Sequence, residues 1–162
     1  PMSCDAVALF AMLFMASFNA DAGQGRAQII PIAAPAAPSS VSSEPLFADI
    51  VSKAGALKAE VETLRAAGLD RGAADLPGYA AFKSRVQALA ALDMQGHLTL
   101  AARGTDGDLK CILKGISQDL GMRLQQLENA STAQERDQAL KDMSYLLNDN
   151  VEVITAPPAA PV

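Results

Sequence analysis

Tryptophan is missing from this chain, and aromatic residues of all kinds make up only 4% of it. A core of any size must therefore be built from Leu, Ile, Val, Met and Ala. That mixture suits packed helices better than a β-sandwich, which favours β-branched and aromatic side chains. Histidine occurs once and cysteine twice. There is no Cys-x-x-Cys-His for covalent haem, no Gly-rich phosphate loop, and no Ser/His/Asp or Cys/His set. Positive charge is also scarce. The net charge is −5 with no Lys/Arg cluster, which argues against nucleic acid as a partner. No enzymatic activity and no cofactor are expected.

What the chain does have is apolar sequence at its start and helical periodicity after it. Ala6–Phe18 is a run of 13 residues, apolar except for Ser17, followed by a small-x-small pattern at Ala20-Asp21-Ala22. Residues 1–22 are thus expected to act as a signal-peptide-like segment, short of the roughly 20 apolar residues of a membrane span. No Lys or Arg precedes the run. A retained hydrophobic anchor is the alternative. The expected destination is an exported compartment. Removal of 1–22 would take Cys4 with it and leave Cys111 alone, unable to form an internal disulfide.

Residues 23–43 read as a linker, with Pro31, Pro35 and Pro38 set among Ala and Ser. Residues 156–162 form a similar Pro/Ala tail. Both are expected to be extended.

Between the tails, over 44–155, four apolar stripes recur at steps of three and four residues. The first helix opens with Pro45 in its first turn. It carries Leu46, Ile50, Ala54, Leu57, Val61 and Leu64, and closes at Gly68 with Leu69 behind it. The second is expected to start near Asp75-Leu76-Pro77 and to bury Phe82, Val86, Leu89, Leu92, Gly96 and Leu100, stopping at Gly104. The third opens at Thr105-Asp106-Gly107-Asp108, read as a capping-box-like start. It carries Leu109, Ile112, Leu113, Ile116, Leu120, Leu124 and Leu127. The fourth has capping-box spacing at Thr132 and Glu135 and runs through Leu140, Met143, Leu147, Val151 and Ile154. Short turns at Gly104 and Asn129–Ser131 permit only antiparallel neighbours. The fold class that follows is all-α: an up-down-up-down four-helix bundle with extended Pro/Ala-rich tails.

Few residues stand out as a site. Asp93 falls near the centre of the second helix's apolar face and His97 at its edge, one turn on. A hydrogen-bonded Asp–His pair is the expected arrangement. A b-type haem site would need His97 with Met122 or Met143, and packing is the usual role of such methionines. Asp106 and Asp108 lack the later ligands of a calcium loop, and capping accounts for them better. Asn129-Ala130-Ser131 matches a glycosylation sequon, but lies in a tight turn where capping is expected. Asn148, Asp149, Asn150 and Glu152 read as a polar face near a helix end. On the third helix, Cys111, Gly115, Gln118, Met122 and Gln125 share an outer, uncharged strip. Outer helix faces are normally charged, so this strip is a candidate contact surface. With the linker prolines Pro31, Pro35 and Pro38 it makes up the expected partner-binding set.

One stretch carries a family likeness. Leu120-Gly121-Met122-Arg123-Leu124-Gln125-Gln126-Leu127-Glu128-Asn129-Ala130, then Ala139-Leu140 through Leu146-Leu147-Asn148-Asp149, resembles the PsbQ family, the extrinsic lumenal subunits of photosystem II. The resemblance covers the third and fourth helices. It implies a four-helix bundle behind a Pro-rich stretch, a location in the thylakoid lumen, and a non-enzymatic accessory role. The implied partner is a membrane protein complex such as photosystem core or antenna subunits. Membrane contact would come only through that partner or through an uncleaved N-terminal segment. The alternative is a free bacterial periplasmic bundle with a stress, chaperone or ligand-binding role.

Overall fold

The computed structural model describes residues 41–156. The signal-like segment, the linker as far as residue 40, including Pro31, Pro35 and Pro38, and residues 157–162 lie outside the described residues. Within them the chain is a four-helix bundle: α1 (Pro45–Ala66), α2 (Tyr79–Arg103), α3 (Gly107–Asn129) and α4 (Ala133–Thr155). The helices run 22, 25, 23 and 23 residues. This near-equality lets each apolar stripe pack along its full length.

Cross-helix pairs fix the directions. Arg103, at the end of α2, donates to both carboxylate oxygens of Glu44, just before α1, at 2.8 Å each. Arg85 pairs with Glu60 nearer the other end, so α1 and α2 are antiparallel. Ser117 Oγ donates to the Ala90 carbonyl at 2.7 Å, and Lys83 pairs with Glu128, which sets α3 against α2. Arg65 Nε donates to Asp137 at 2.8 Å while Lys58 reaches Asn148, which sets α4 against α1. The helices form a ring in chain order, with α2 and α4 on one diagonal.

Each break has a local cause. α1 starts with Pro45 at its first position and ends where Ala67 donates to the Thr63 carbonyl at 3.1 Å. Gly68 then turns the chain at φ +90° and Leu69 folds back into the core, as the sequence pattern predicts. A short 3-10 turn, Ala73–Asp75, precedes α2. The expected start near Asp75 is early, because Gly78 at φ +73° redirects the chain and the helix opens only at Tyr79. Gly104 closes α2 at φ +67°.

The capping-box-like start expected for α3 does not form. Asp106 is left-handed (φ 48°, ψ 55°), and its side chain makes no cap bond. A cap needs extended backbone at that position, which the tight turn denies it. At α4 the box is complete. The Glu135 amide donates to Thr132 Oγ1 at 3.2 Å, and the Thr132 amide donates back to Glu135 Oε2 at 3.0 Å. Capping at this turn falls to Thr132 and not to the sequon residues.

The core follows the four stripes with single-position shifts. Phe47 is fully buried where Leu46 was expected, and Leu46 is half-buried beside it. Leu92, Ile112 and Val151 are likewise half-buried at the edge. Three polar or charged residues are inside: Asp93, Arg136 and Asn150. Asn150 therefore does not belong to an exposed polar face. Val41 is buried too, so the bundle's packing begins before α1 and takes in the end of the expected linker. No helix among the described residues is long and apolar enough to cross a membrane.

Candidate functional site

The outer strip of α3 is where sequence and structure converge. An apolar stripe on one side of an α-helix leaves the opposite side facing out. Leu109, Leu113, Ile116, Leu120, Leu124 and Leu127 are buried, so Gln118, Met122 and Gln125 are exposed, while Cys111 and Gly115 are half-buried. Met122 is 48% exposed, one of three large apolar side chains left in the open, with Leu98 and Tyr145. Cys111 is not a free thiol. The expectation of a solitary thiol rested on loss of the segment that carries Cys4.

The lower half of the strip opens onto a groove of about 580 Å³ between α3 and α4. Met122 and Gln125 line its α3 wall, Gln138 and Asp142 its α4 wall, and Asn129 with Ser131 its closed end. Amides and a hydroxyl make up most of its polar lining, beside two carboxylates, Asp142 and Glu135, the latter taken up by the α4 capping box. Arg123 Nη1 donates to Gln126 at 2.7 Å and lies 3.5 Å from Asp142, so the nearest cation is engaged along the wall. The upper half of the strip, Cys111 and Gly115, lies outside this groove.

Asp93 and His97 do not form the expected pair. His97 Nδ1 sits 2.7 Å from the Lys110 carbonyl. A carbonyl only accepts, so Nδ1 carries the proton, and the ring ties α2 to the first turn of α3. Asp93 turns the other way, into the core, and accepts from the Asn150 amide at 2.9 and 3.0 Å. The one-turn spacing was right for contact, but Asn150 offered a donor at the core centre where burial of the carboxyl is complete. Burial pushes Asp93 up to about 7, and the Asn150 hydrogen bond opposes part of that rise.

Arg136, unforeseen in the sequence, is the other buried polar device. Its Nε donates to the Leu69 carbonyl at 2.7 Å and Nη1 to the Ala130 carbonyl at 2.8 Å. It stitches the α1–α2 connection to the α3–α4 turn at one end of the bundle. The signal was present: Arg136, Leu140, Met143, Leu147, Asn150 and Ile154 continue one helical stripe. Both polar members occupy core-facing positions.

Among the described residues, no three of His, Cys, Asp and Glu come together where a metal ion could be held. His97 is engaged with a backbone carbonyl, and Met143 is fully buried in the core while Met122 is on the outer face. The three are not drawn into one site. The chain matches no protein-family model, and neither a curated protein nor a solved structure is significantly similar to it.

Proposed function

We propose that this bundle is a non-enzymatic accessory subunit that docks onto a membrane protein complex. We place it on the lumenal side of a photosynthetic membrane, in the manner of the PsbQ-type subunits that its third and fourth helices resemble. The observation that supports docking is the uncharged outer strip of α3, exposed at Gln118, Met122 and Gln125, with an amide-rich groove beside it. Elsewhere the helix edges are laced with ion pairs: Arg103–Glu44 and Arg85–Glu60 between α1 and α2, Lys83–Glu128 between α2 and α3, and Arg65–Asp137 between α1 and α4. A partner surface of apolar and hydrogen-bonding groups fits the strip without desolvating unpaired charge. The linker prolines Pro31, Pro35 and Pro38 are the second contact element, because extended proline-rich chain loses little entropy when bound.

The test is co-purification from native membranes. Gln118→Lys with Met122→Glu should release the protein from its complex while its thermal melt stays within a few degrees of the parent. Deletion of residues 23–40 should do the same, and it spares Val41, which belongs to the core. Retention of both variants, or absence of any complex in native extracts, would remove the docking reading. The free periplasmic bundle would then take its place.

A further inference from the structure

On the other flank of α4 from the α3–α4 groove, and sharing Asp142 with it, a second groove of about 330 Å³ lies between α1 and α4. One wall is a single face of α4, with Lys141, Ser144, Tyr145 and Asn148 at helical spacing; Lys58 and Arg65 of α1 form the other. Tyr145 is 69% exposed, the most open of the large apolar side chains among the described residues. The protein as a whole is acidic, yet this groove is lined by three cations against one carboxylate, Asp142.

The cations are not equivalent. Arg65 is already neutralised, by Asp137 at 2.8 Å and Glu62 at 3.1 Å. Asp142 is taken up by Arg123 and by Gln138, which donates to it at 2.7 Å. Glu62 also accepts from Ser144. Lys58 has only a neutral acceptor, Asn148 Oδ1, and Lys141 makes no ion-pair contact among the described residues, its charge reaching Asp137 only over distance. Neither ammonium group is in contact with a carboxylate among the described residues, and they lie one on each side of Tyr145.

Their separation selects the ligand. Lys58 is anchored at the level of Asn148, two helical turns from Lys141, or about 10 Å along the groove. One phosphate or carboxylate cannot span that distance. Two acidic side chains three residues apart on a polyproline-II segment can, since that conformation brings every third side chain to the same face and advances about 3.1 Å per residue. We propose that this groove binds an acidic segment of a partner protein in polyproline-II conformation, of the form acidic-x-x-acidic. Its carboxylates meet Lys58 and Lys141, and an apolar residue between them lies on the Tyr145 ring. Tyrosine is among the residues that most often anchor protein interfaces, and complementary charge steers the partner to it.

The experiment uses the full chain and fluorescein-labelled, end-capped peptides with two glutamates, compared by anisotropy at low salt. One peptide has the pattern Glu-Leu-Ala-Glu; controls have adjacent glutamates, glutamates six apart, and Gln-Leu-Ala-Gln. The three-apart peptide should bind best. Lys58→Gln and Lys141→Gln should each weaken it by about threefold, the range of an exposed ion pair. Tyr145→Ala should weaken it by about tenfold, as loss of an aromatic anchor does. In the parent protein, amide shifts on titration should centre on Lys58 and on residues 141–148. Gln118→Lys with Met122→Glu should leave peptide binding unchanged, which separates this groove from the α3 surface. The proposal is overturned if no peptide binds, if spacing makes no difference, or if the lysine variants bind like the parent. It is also overturned if inorganic phosphate at the same concentration displaces the peptide, which would make the groove a simple anion site.

Discussion

The side-chain nitrogen of Asn150 donates to both carboxylate oxygens of Asp93, at 2.9 and 3.0 Å, across the diagonal of the bundle from α4 to α2. Both residues are fully buried. The Asn150 carbonyl oxygen has no hydrogen-bond partner, so a carboxylate leaves one acceptor unanswered. A protonated Asp93 would answer it, since its hydroxyl can donate once the amide turns over.

The pH dependence follows from that pair. Asp93 sits at about 7 in the folded protein and near 3.9 in an unfolded chain. The folded state binds the proton more tightly, so the stability linked to Asp93 is full below about pH 4 and falls as pH rises through 7. The loss is on the order of 4 kcal/mol for a shift of this size. Glu44 and Asp137 are held below the usual carboxylate range by Arg103 and Arg65, and they act in the opposite sense at lower pH. Thermal melts should therefore peak at mildly acidic pH and decline from pH 5 to pH 8. Asp93→Asn, whose amide can pair with the Asn150 amide in both directions, should flatten that decline. It should be near neutral at pH 5 and stabilising at pH 8. A parent protein equally stable at both values would show that Asp93 is not held in the core.

Arg136 should resist even conservative replacement. It uses two separate guanidinium nitrogens to reach the Leu69 and Ala130 carbonyls. A lysine ammonium is a single point and cannot sit at both. Arg136→Lys should cost about 1–3 kcal/mol in urea unfolding, the range for a buried acceptor left unmet. Hydrogen exchange should speed up at both the 67–78 connection and the α3–α4 turn. Protection lost at only one of them would mean the two loops are not joined through this side chain.

Gly96 makes room where three core side chains converge. A Cβ there would lie 3.0 Å from Leu113 Cδ1 and 3.4 Å from both Ile50 Cδ1 and Phe47 Cε1. All three neighbours are fully buried. Alanine gains about 1 kcal/mol in helix propensity, but overpacking costs about 1–3 kcal/mol. Gly96→Ala should therefore destabilise by about 1 kcal/mol. Adding Leu113→Ala should cost less than the sum of the two single changes. Full additivity would mean that the methyl meets no resistance.

The helices were legible because apolar periodicity and breakers agree with each other. The Leu109-to-Leu127 stripe, the Gly68 and Gly104 stops and the Thr132–Glu135 box all appear where the pattern puts them. At two places the buried residue is the neighbour of the expected one. Phe47 lies inside beside Leu46, and Asn150 beside Val151. With 3.6 residues per turn, two neighbours can each lie near the face, and only packing decides between them. The buried pair could not be assigned because Asp93 has a polar neighbour one turn away in sequence, while its true partner is 57 residues on. Of the candidate surface, the exposure of Gln118, Met122 and Gln125 followed from the stripe behind them. The α1–α4 groove did not, because it needs two helices in register before Lys58 and Lys141 share a wall.

The two ends of the bundle's chain, at Pro45 and Thr155, lie at the same end of neighbouring antiparallel helices. This has a mechanical consequence. A pull that separates those ends does not load the α1–α4 seam all at once; it opens the seam like a zip, one turn after another. The first cross-helix bond to be strained is Lys58 to Asn148, and the last is Arg65 to Asp137, beside the Arg136 stitch. Sequential rupture of this kind yields at low force, so the molecule would hold its shape against pushing and thermal agitation far better than against being drawn out by its ends.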